Sequence, residues 1–152
     1  MDTGERAPDF TLQADDGRKL TLSAELAKGP VVLFFYPKAM TPGCTKESCH
    51  FRDLASEFDA LGARRLGISV DSVERQHSFS AKHGFDYPLL SDPGGAVAKQ
   101  FAVKRLLPLA KRATFVIGTD GIVLAAIRSE FDTDKHADEA LRVLRARAGD
   151  GS

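Results

Sequence analysis

The feature that most constrains the fold is an uninterrupted apolar run, PVVLFFY, at Pro30–Tyr36. A short run of β-branched and aromatic residues is typical of a strand that is buried on both faces of its sheet. Pro37 follows at once and cannot donate to a sheet ladder, so the strand is expected to end there. A strand buried on both faces needs a covering layer on each side, which indicates an α/β fold.

Strand-like and helix-like segments alternate along the rest of the chain. Further strands are predicted at Phe10–Leu12, Lys19–Leu22, Arg65–Val70, Ala113–Ile117 and Ile122–Ile127, with Asp-Gly hairpin turns after the first and between the last two. Helices are predicted over Cys44 to about Leu61, from the N-cap Ser72 to about His83, from Ser91 or Asp92 to Phe101, and over Asp134–Arg147. This order predicts a central mixed β-sheet flanked by helices on both faces.

Length and charge narrow the classes of function. A chain of 152 residues with 43% hydrophobic content suits a single domain spanning residues 1–152. Lysine plus arginine equal aspartate plus glutamate at 21 each, which disfavours nucleic acid and anionic membranes as partners. The first residues lack a basic start followed by an apolar run, and no stretch approaches the length of a membrane span. We therefore expect a cytoplasmic protein.

Two cysteines are too few for a disulfide scaffold, and the first lies between the buried strand and a helix. In the first turn of a helix, Cys44 would face unpaired N–H groups and the positive end of the helix dipole, which favour the reactive thiolate. The Thr41 hydroxyl can accept from the thiol or donate to an oxygen beside the sulfur. The alternative is a buried cysteine that packs as a small hydrophobe.

The second cysteine, Cys49, lies five residues further along the same predicted helix. Ideal helix geometry turns it about 140° from Cys44 and separates the two Cα atoms by roughly 8.6 Å. A disulfide requires less than about 7 Å, so the first turns would have to unwind before the thiols could bond. Short helical ends open at little cost in free energy, which suits a redox cycle. The alternative is an exposed, incidental cysteine.

Other chemistries fit these residues less well. Cys44, Cys49 and His50 cannot surround one zinc ion while the helix stays intact. A thioredoxin-type dithiol exchanger also places a reactive cysteine at a helix start, but its usual Cys-x-x-Cys spacing is absent. The four histidines are scattered along the chain and are expected to be solvent-facing or hydrogen-bonded. We expect no metal and no cofactor.

The segment FFYPKAMTPGCTKESCHFRD, Phe34–Asp53, resembles the active-site signature of the peroxiredoxins. The family motif Pro-x-x-x-Thr-x-x-Cys is met by Pro37, Thr41 and Cys44, and a cysteine five residues later is similar to the Q-type subfamily, the bacterioferritin comigratory proteins. The segments GISVDS at 67–72, YPLLSD at 87–92 and RATFVI at 112–117 extend the resemblance over nearly the whole chain.

The resemblance implies a thioredoxin-like fold and a thiol-dependent peroxidase. Cys44 would be the peroxidatic cysteine that attacks hydrogen peroxide or an organic hydroperoxide, and Cys49 the resolving cysteine that condenses with the Cys44 sulfenic acid. A thioredoxin-like reductant would reopen the intramolecular disulfide. Arg112 matches the family's active-site arginine, although without the family it would be interpreted as the solvated start of a strand. Strand alternation places it on one face with Thr114 and Val116.

Some positions depart from the family pattern. Ala39 and Met40 replace the polar residues that are common before the motif threonine, so the rim of the pocket is expected to be more apolar than usual. The loop Lys104–Lys111 carries three leucines and is expected to contribute to core packing, with a wall of the active site or a partner contact as alternatives. We expect a monomer or a weak homodimer.

Overall fold

The computed structural model describes residues 1–103 and 111–149. Within these ranges the strands are β1 (Thr11–Ala14), β2 (Lys19–Thr21), β3 (Val31–Phe35), β4 (Arg64–Ser69), β5 (Leu89–Ser91), β6 (Ala113–Ile117) and β7 (Val123–Arg128). The helices are α1 (Leu22–Leu26), α2 (Pro42–Asp53), α3 (Ala55–Ala60), α4 (Val73–His83), α5 (Ala96–Gln100) and α6 (Asp134–Gly149), with a 3-10 turn at Pro93–Gly95. None of these helices combines the length and the apolar character that a membrane crossing requires.

The strands form one mixed sheet in the order β2-β1-β5-β4-β3-β6-β7. Strand β3 lies inside it, parallel to β4 and antiparallel to β6, and all of its residues are buried, as the apolar run predicts. Because β3 and β6 are antiparallel, the start of β6 lies beside the end of β3, with Ala113 opposite Phe35. Side chains just before β6 therefore lie beside the segment that follows β3.

The side chains of the sheet point alternately into two apolar layers. One layer packs the sheet against α1 and α5 and receives Val31, Leu33 and Phe35 from β3. The other packs it against α2, α3, α4 and α6 and receives Val32 and Phe34. The prediction of a mixed sheet with helices on both faces is confirmed.

Several predicted boundaries are wrong. Strand β5 and helix α1 were not predicted, because three and five residues are too few to show a period. Leu22, predicted as the end of a strand, is the first residue of α1. The single helix predicted from Cys44 to Leu61 is two helices, because Leu54 leaves the helical region with φ −96° and ψ 19°. The predicted loop Lys104–Lys111 lies outside the described residues except for Lys111.

Candidate active site

The centre of the site is the Cys44 thiol, at the start of α2. Thr41 is the N-cap residue with an extended backbone, and Pro42 occupies the first helical position, where its missing N–H costs nothing. Cys44 therefore lies in the first turn of α2, among N–H groups that have no partner within the helix. Its side chain is 0% exposed. The dipole of α2 and these donors favour a negative charge on the sulfur.

The Arg112 guanidinium reaches this sulfur from the residue before β6. Its Nη2 lies 3.4 Å from Cys44 Sγ, its Nη1 donates to Glu47 Oε1 at 2.7 Å, and its Nε donates to the backbone oxygen of Glu130 at 3.2 Å. Burial lowers the pKa of Arg112, but its contacts with Glu47 and Cys44 raise that pKa by more. The pKa of Arg112 therefore lies above its ordinary value. Thr114 and Val116 share its side of the strand, as alternation predicts. Arg112 is thus a fixed cation in contact with the thiol.

The close approach of Arg112 depends on Gly43. A Cβ atom at this position would stand 3.2 Å from Arg112 Nη2, closer than an ordinary van der Waals contact. The guanidinium has little room to retreat, because its other nitrogens are bound to Glu47 and Glu130. A glycine before the cysteine therefore allows the charge to reach the sulfur.

Two buried titratable residues complete the site and were not predicted from the sequence. Glu47, one turn after Cys44, is 0% exposed, and its Oε2 has no hydrogen-bond partner among the described residues. This oxygen lies 3.6 Å from Nδ1 of His136, which reaches in from α6. The Thr114 hydroxyl is hydrogen-bonded to the same nitrogen at 2.8 Å, and His136 Nε2 to the Ser129 backbone oxygen at 2.8 Å.

The charge of Glu47 decides how Arg112 acts. The 2.7 Å contact taken alone would indicate an ion pair, yet burial raises the pKa of Glu47 to about 8, against the lowering effect of Arg112. A guanidinium N–H donates equally well to the carbonyl oxygen of a neutral acid, so the contact is compatible with a protonated Glu47. Burial also lowers the pKa of His136. With both groups neutral, the charge of Arg112 is directed to Cys44.

The loop between β3 and α2 is held by contacts of its own. The Thr41 hydroxyl donates to the backbone oxygen of Lys38 at 2.8 Å and not to Cys44, so its predicted contact with the thiol is absent from this arrangement. Asp71 accepts from the Ala39 backbone N–H at 2.7 Å. Met40 has a left-handed backbone with φ +68° and is exposed beside Thr41. Pro37 opens this loop and is half-buried.

Cys49 lies further along α2, with the helix intact between the two free thiols. It is half-buried, whereas Cys44 is fully buried. Burial raises the pKa of the Cys49 thiol, against the lowering effect of Arg52. The neighbouring His50 is hydrogen-bonded to Asp138 at 2.7 Å. The structure therefore does not bring the two cysteines together.

The sequence carries only part of the signal for this site. Glu47 is three residues after Cys44, so the spacing shows that both lie on one face of the helix. The spacing does not indicate that Arg112 binds Glu47. His136 has no local signal, since it reaches the site only when α6 packs beside α2. Among residues 1–103 and 111–149, no cluster of three or more His, Cys, Asp or Glu side chains is arranged to hold a metal.

Comparison with known proteins gives a consistent result. The family model described as "AhpC/TSA family" matches residues 3–126. Peroxidoxin BcpB from Mycobacterium tuberculosis has a similar crystal structure, with a TM-score of 0.92 and 59% identity over 96% of this chain and 97% of that one. The bacterioferritin comigratory protein of Xanthomonas campestris, studied for its alkyl peroxide reduction activity, matches with a TM-score of 0.84 and 38% identity over 91% of this chain and 92% of that one.

A curated relative extends the likeness to plants. The chloroplastic peroxiredoxin Q of Sedum lineare is 41% identical over 145 residues, which cover 94% of this chain and 77% of the relative. These likenesses confirm both the thioredoxin-like fold and the resemblance carried by the motif around Cys44. The chain belongs to the AhpC/TSA family and, within it, to the peroxiredoxins of the Q or bacterioferritin comigratory type.

Proposed function

We propose that the protein is a thiol-dependent peroxidase that reduces hydrogen peroxide and organic hydroperoxides with Cys44 as the attacking nucleophile. One observation carries the proposal: the Arg112 guanidinium lies 3.4 Å from a buried sulfur in the first turn of α2. A fixed cation and a helix N-terminus both stabilise negative charge on sulfur and on the oxygens that react with it. Family membership supports the same activity.

In the first step the Cys44 thiolate attacks the hydroxyl oxygen of the hydroperoxide. The S–O bond forms as the O–O bond breaks, so the sulfur is oxidised to the sulfenic acid and the peroxide is reduced. The leaving oxygen takes a proton and departs as water or as an alcohol. Arg112 stabilises the charge that passes from sulfur to oxygen, and the Thr41 hydroxyl would turn from Lys38 to orient the peroxide. Pro37 would shape the loop that shields the reaction.

In the second step Cys49 resolves the oxidised product. Its thiolate attacks the sulfur of the Cys44 sulfenic acid, the S–S bond forms, and the hydroxyl group leaves with a proton as water. This condensation stops further oxidation to sulfinic acid. A thioredoxin-like dithiol would then reduce the disulfide and restore both thiols. Because α2 separates the thiols in the folded protein, this step requires the helix to open locally.

A single-turnover experiment tests both steps. Reduced protein is mixed with one equivalent of peroxide and quenched with an alkylating reagent, and the mass of each cysteine product is measured. We expect loss of one peroxide per chain and a Cys44–Cys49 disulfide; Cys49→Ser should stop at the sulfenic acid and lose recycling by a thioredoxin system. Continued peroxide consumption by Cys44→Ser would refute the proposal.

The setting of the reaction is also part of the proposal. We propose that the chain acts in the cytoplasm as one domain, residues 1–152, and as a monomer or weak homodimer, with a thioredoxin-like protein as its electron donor. Two cysteines are too few for a disulfide scaffold, which suits a compartment that keeps thiols reduced. Oxidation without turnover in the presence of a thioredoxin system would instead indicate a redox sensor.

A further inference from the structure

The two cysteines of α2 lie in parts of the helix that are held very differently. Residues 48–53, which contain Cys49, are attached to the protein body through two backbone oxygens and through the side chains of His50 and Arg52. Residues 42–47, which contain Cys44, are attached chiefly through side chains that contact Arg112. This difference bears on the resolving step, so the inference below rests on the proposed Cys44–Cys49 disulfide.

The attachment of the second half begins at Tyr87, just before β5. Its hydroxyl donates to the Ser48 backbone oxygen at 2.7 Å, and both residues are buried. Burial raises the pKa of Tyr87 well above its usual value, so it remains a hydroxyl donor. Tyr87 also packs edge-on against Phe34 of β3, with ring centroids 5.6 Å apart. The residue before Cys49 is thus fixed to the sheet.

A second attachment follows on the other side of Cys49. Arg65 of β4 donates from Nη1 to the Phe51 backbone oxygen at 2.8 Å, and both of its terminal nitrogens bind Asp86, at 3.0 and 2.7 Å. The Phe51 ring stacks on Phe34 with centroids 4.1 Å apart. Arg65 also lies 5.0 Å from the centre of the Tyr87 ring, so the two attachments support each other.

The first half has weaker restraints once Cys44 is oxidised. Its side chains contact Arg112 through Cys44 and Glu47, and Lys46 forms an exposed ion pair with Asp134 at 3.9 Å. Conversion of a thiolate to a neutral sulfenic acid removes the charge that Arg112 stabilises. The first N–H groups of any helix also lack partners within it, so the helix opens from this end one hydrogen bond at a time.

We propose that Tyr87 and Arg65 divide α2 into a releasable half, residues 42–47, and an anchored half, residues 48–53, so that oxidised Cys44 moves to a stationary Cys49. Tyr87 is then a positioning residue for the resolving step. Once residues 45–47 are unwound, the chain is long enough for the Cys44 sulfur to reach Cys49, since an unwound residue spans up to about 3.3 Å. Cys49 keeps its position when the first half of the helix opens.

The variant Tyr87→Phe tests this inference because it removes only the hydroxyl that anchors Ser48. Tyr36→Phe is the matched control: its hydroxyl, in the same apolar layer, donates to Gln76 of α4 at 2.5 Å and not to a backbone oxygen of α2. Each protein is mixed with increasing peroxide under single-turnover conditions, and mass spectrometry measures the share of Cys44 converted to disulfide and to sulfinic acid.

We expect Tyr87→Phe to react with the first peroxide at the wild-type rate but to reach half sulfinic acid at about fivefold less peroxide, the factor that loss of one net hydrogen bond gives. Tyr36→Phe should match the wild type. Amide hydrogen exchange of the oxidised wild type should show lost protection over residues 46–51, whose helical acceptors lie in residues 42–47. Protection should be retained at Arg52 and Asp53, whose acceptors are the oxygens of Ser48 and Cys49.

An unchanged ratio of disulfide to sulfinic acid in Tyr87→Phe, or lost protection at Arg52 and Asp53, would overturn the inference. Failure of the proposed function has a different signature, because the wild type would then form no Cys44–Cys49 disulfide at any peroxide concentration.

Discussion

At the scale of single residues, the site depends on how one guanidinium is shared. Arg112 contacts both the Cys44 sulfur and the Glu47 carboxyl, and each would take some of its charge. Since burial holds Glu47 largely in its neutral form at neutral pH, Cys44 receives most of the electrostatic stabilisation. The geometry of the guanidinium then matters as much as its charge.

Arg112→Lys tests the importance of that geometry. A lysine keeps the charge but cannot donate to Cys44, Glu47 and the Glu130 backbone from one planar group. We expect the rate of Cys44 oxidation to fall by about 10²-fold, the usual effect of losing one preorganised donor. The chain contains no tryptophan, so rapid alkylation and mass spectrometry are suitable for following the reaction. A rate within twofold of the wild type would contradict this role.

Glu47→Gln tests the buried carboxyl through the pH dependence of stability. Unfolded, Glu47 would titrate near 4.5, whereas burial raises its pKa in the folded protein to about 8. Between these values only the folded protein keeps the proton, so the free energy of unfolding should fall as pH rises, by about 1 kcal/mol per pH unit. Glutamine cannot titrate and should remove this loss.

The measurement is urea denaturation of both proteins from pH 5 to pH 8. His136 gives the opposite trend, because its lowered pKa makes stability fall as pH drops below about 6.5, and both proteins should show it. Parallel stability curves for the wild type and Glu47→Gln would show that Glu47 does not hold a proton in the folded state.

At the scale of elements, α2 connects what the sequence predicted to what it did not. The helical period correctly placed Cys44 and Cys49 on one helix, and ideal geometry correctly kept the two thiols apart. The end of the helix at Leu54 was missed because apolar spacing continues unchanged into α3. The contacts of Tyr87 and Arg65 with backbone oxygens of α2 have no sequence signal, because every residue has a backbone oxygen whatever its side chain.

Thr45→Ala tests whether the first half of α2 must unwind for the thiols to bond. Alanine stabilises a helix relative to threonine by about 0.5 kcal/mol, so the disulfide should form about twofold more slowly. Ser56→Ala in α3 is the control, because it changes helix propensity at an exposed position outside α2. Rates measured by quenched alkylation should fall for Thr45→Ala alone. Equal rates in all three proteins would argue against local unwinding.

At the scale of the whole molecule, the sequence predicts the layers better than the site. The run at Pro30–Tyr36 and the alternation of elements were sufficient for a mixed sheet covered on both faces. The motif and the resemblance point to Cys44 and Arg112 as catalytic residues, and these roles remain predictions. The cluster of Arg112, Glu47 and His136 was out of reach, because β6, α2 and α6 come together only through tertiary packing.

The expectation of a monomer or weak homodimer remains a prediction at this scale. Sedimentation at micromolar concentration should give a mass near that of one chain, 16.4 kDa, or one that rises with concentration. Phe131, next to Glu130, is the most exposed large apolar side chain of the described residues, at 97%. A dimer that persists at nanomolar concentration would contradict the prediction.

The interruption at Leu54 has a consequence for how motion spreads through the molecule. Ending α2 there leaves the Phe51 oxygen in the last turn, where helix carbonyls lack an N–H partner, and Arg65 from the sheet occupies it. A continuous helix would use that oxygen internally and could tilt as one rod whenever its first turn was disturbed. With the Phe51 oxygen held by Arg65, we expect the last turn of α2 to stay attached to the sheet when the first turn opens.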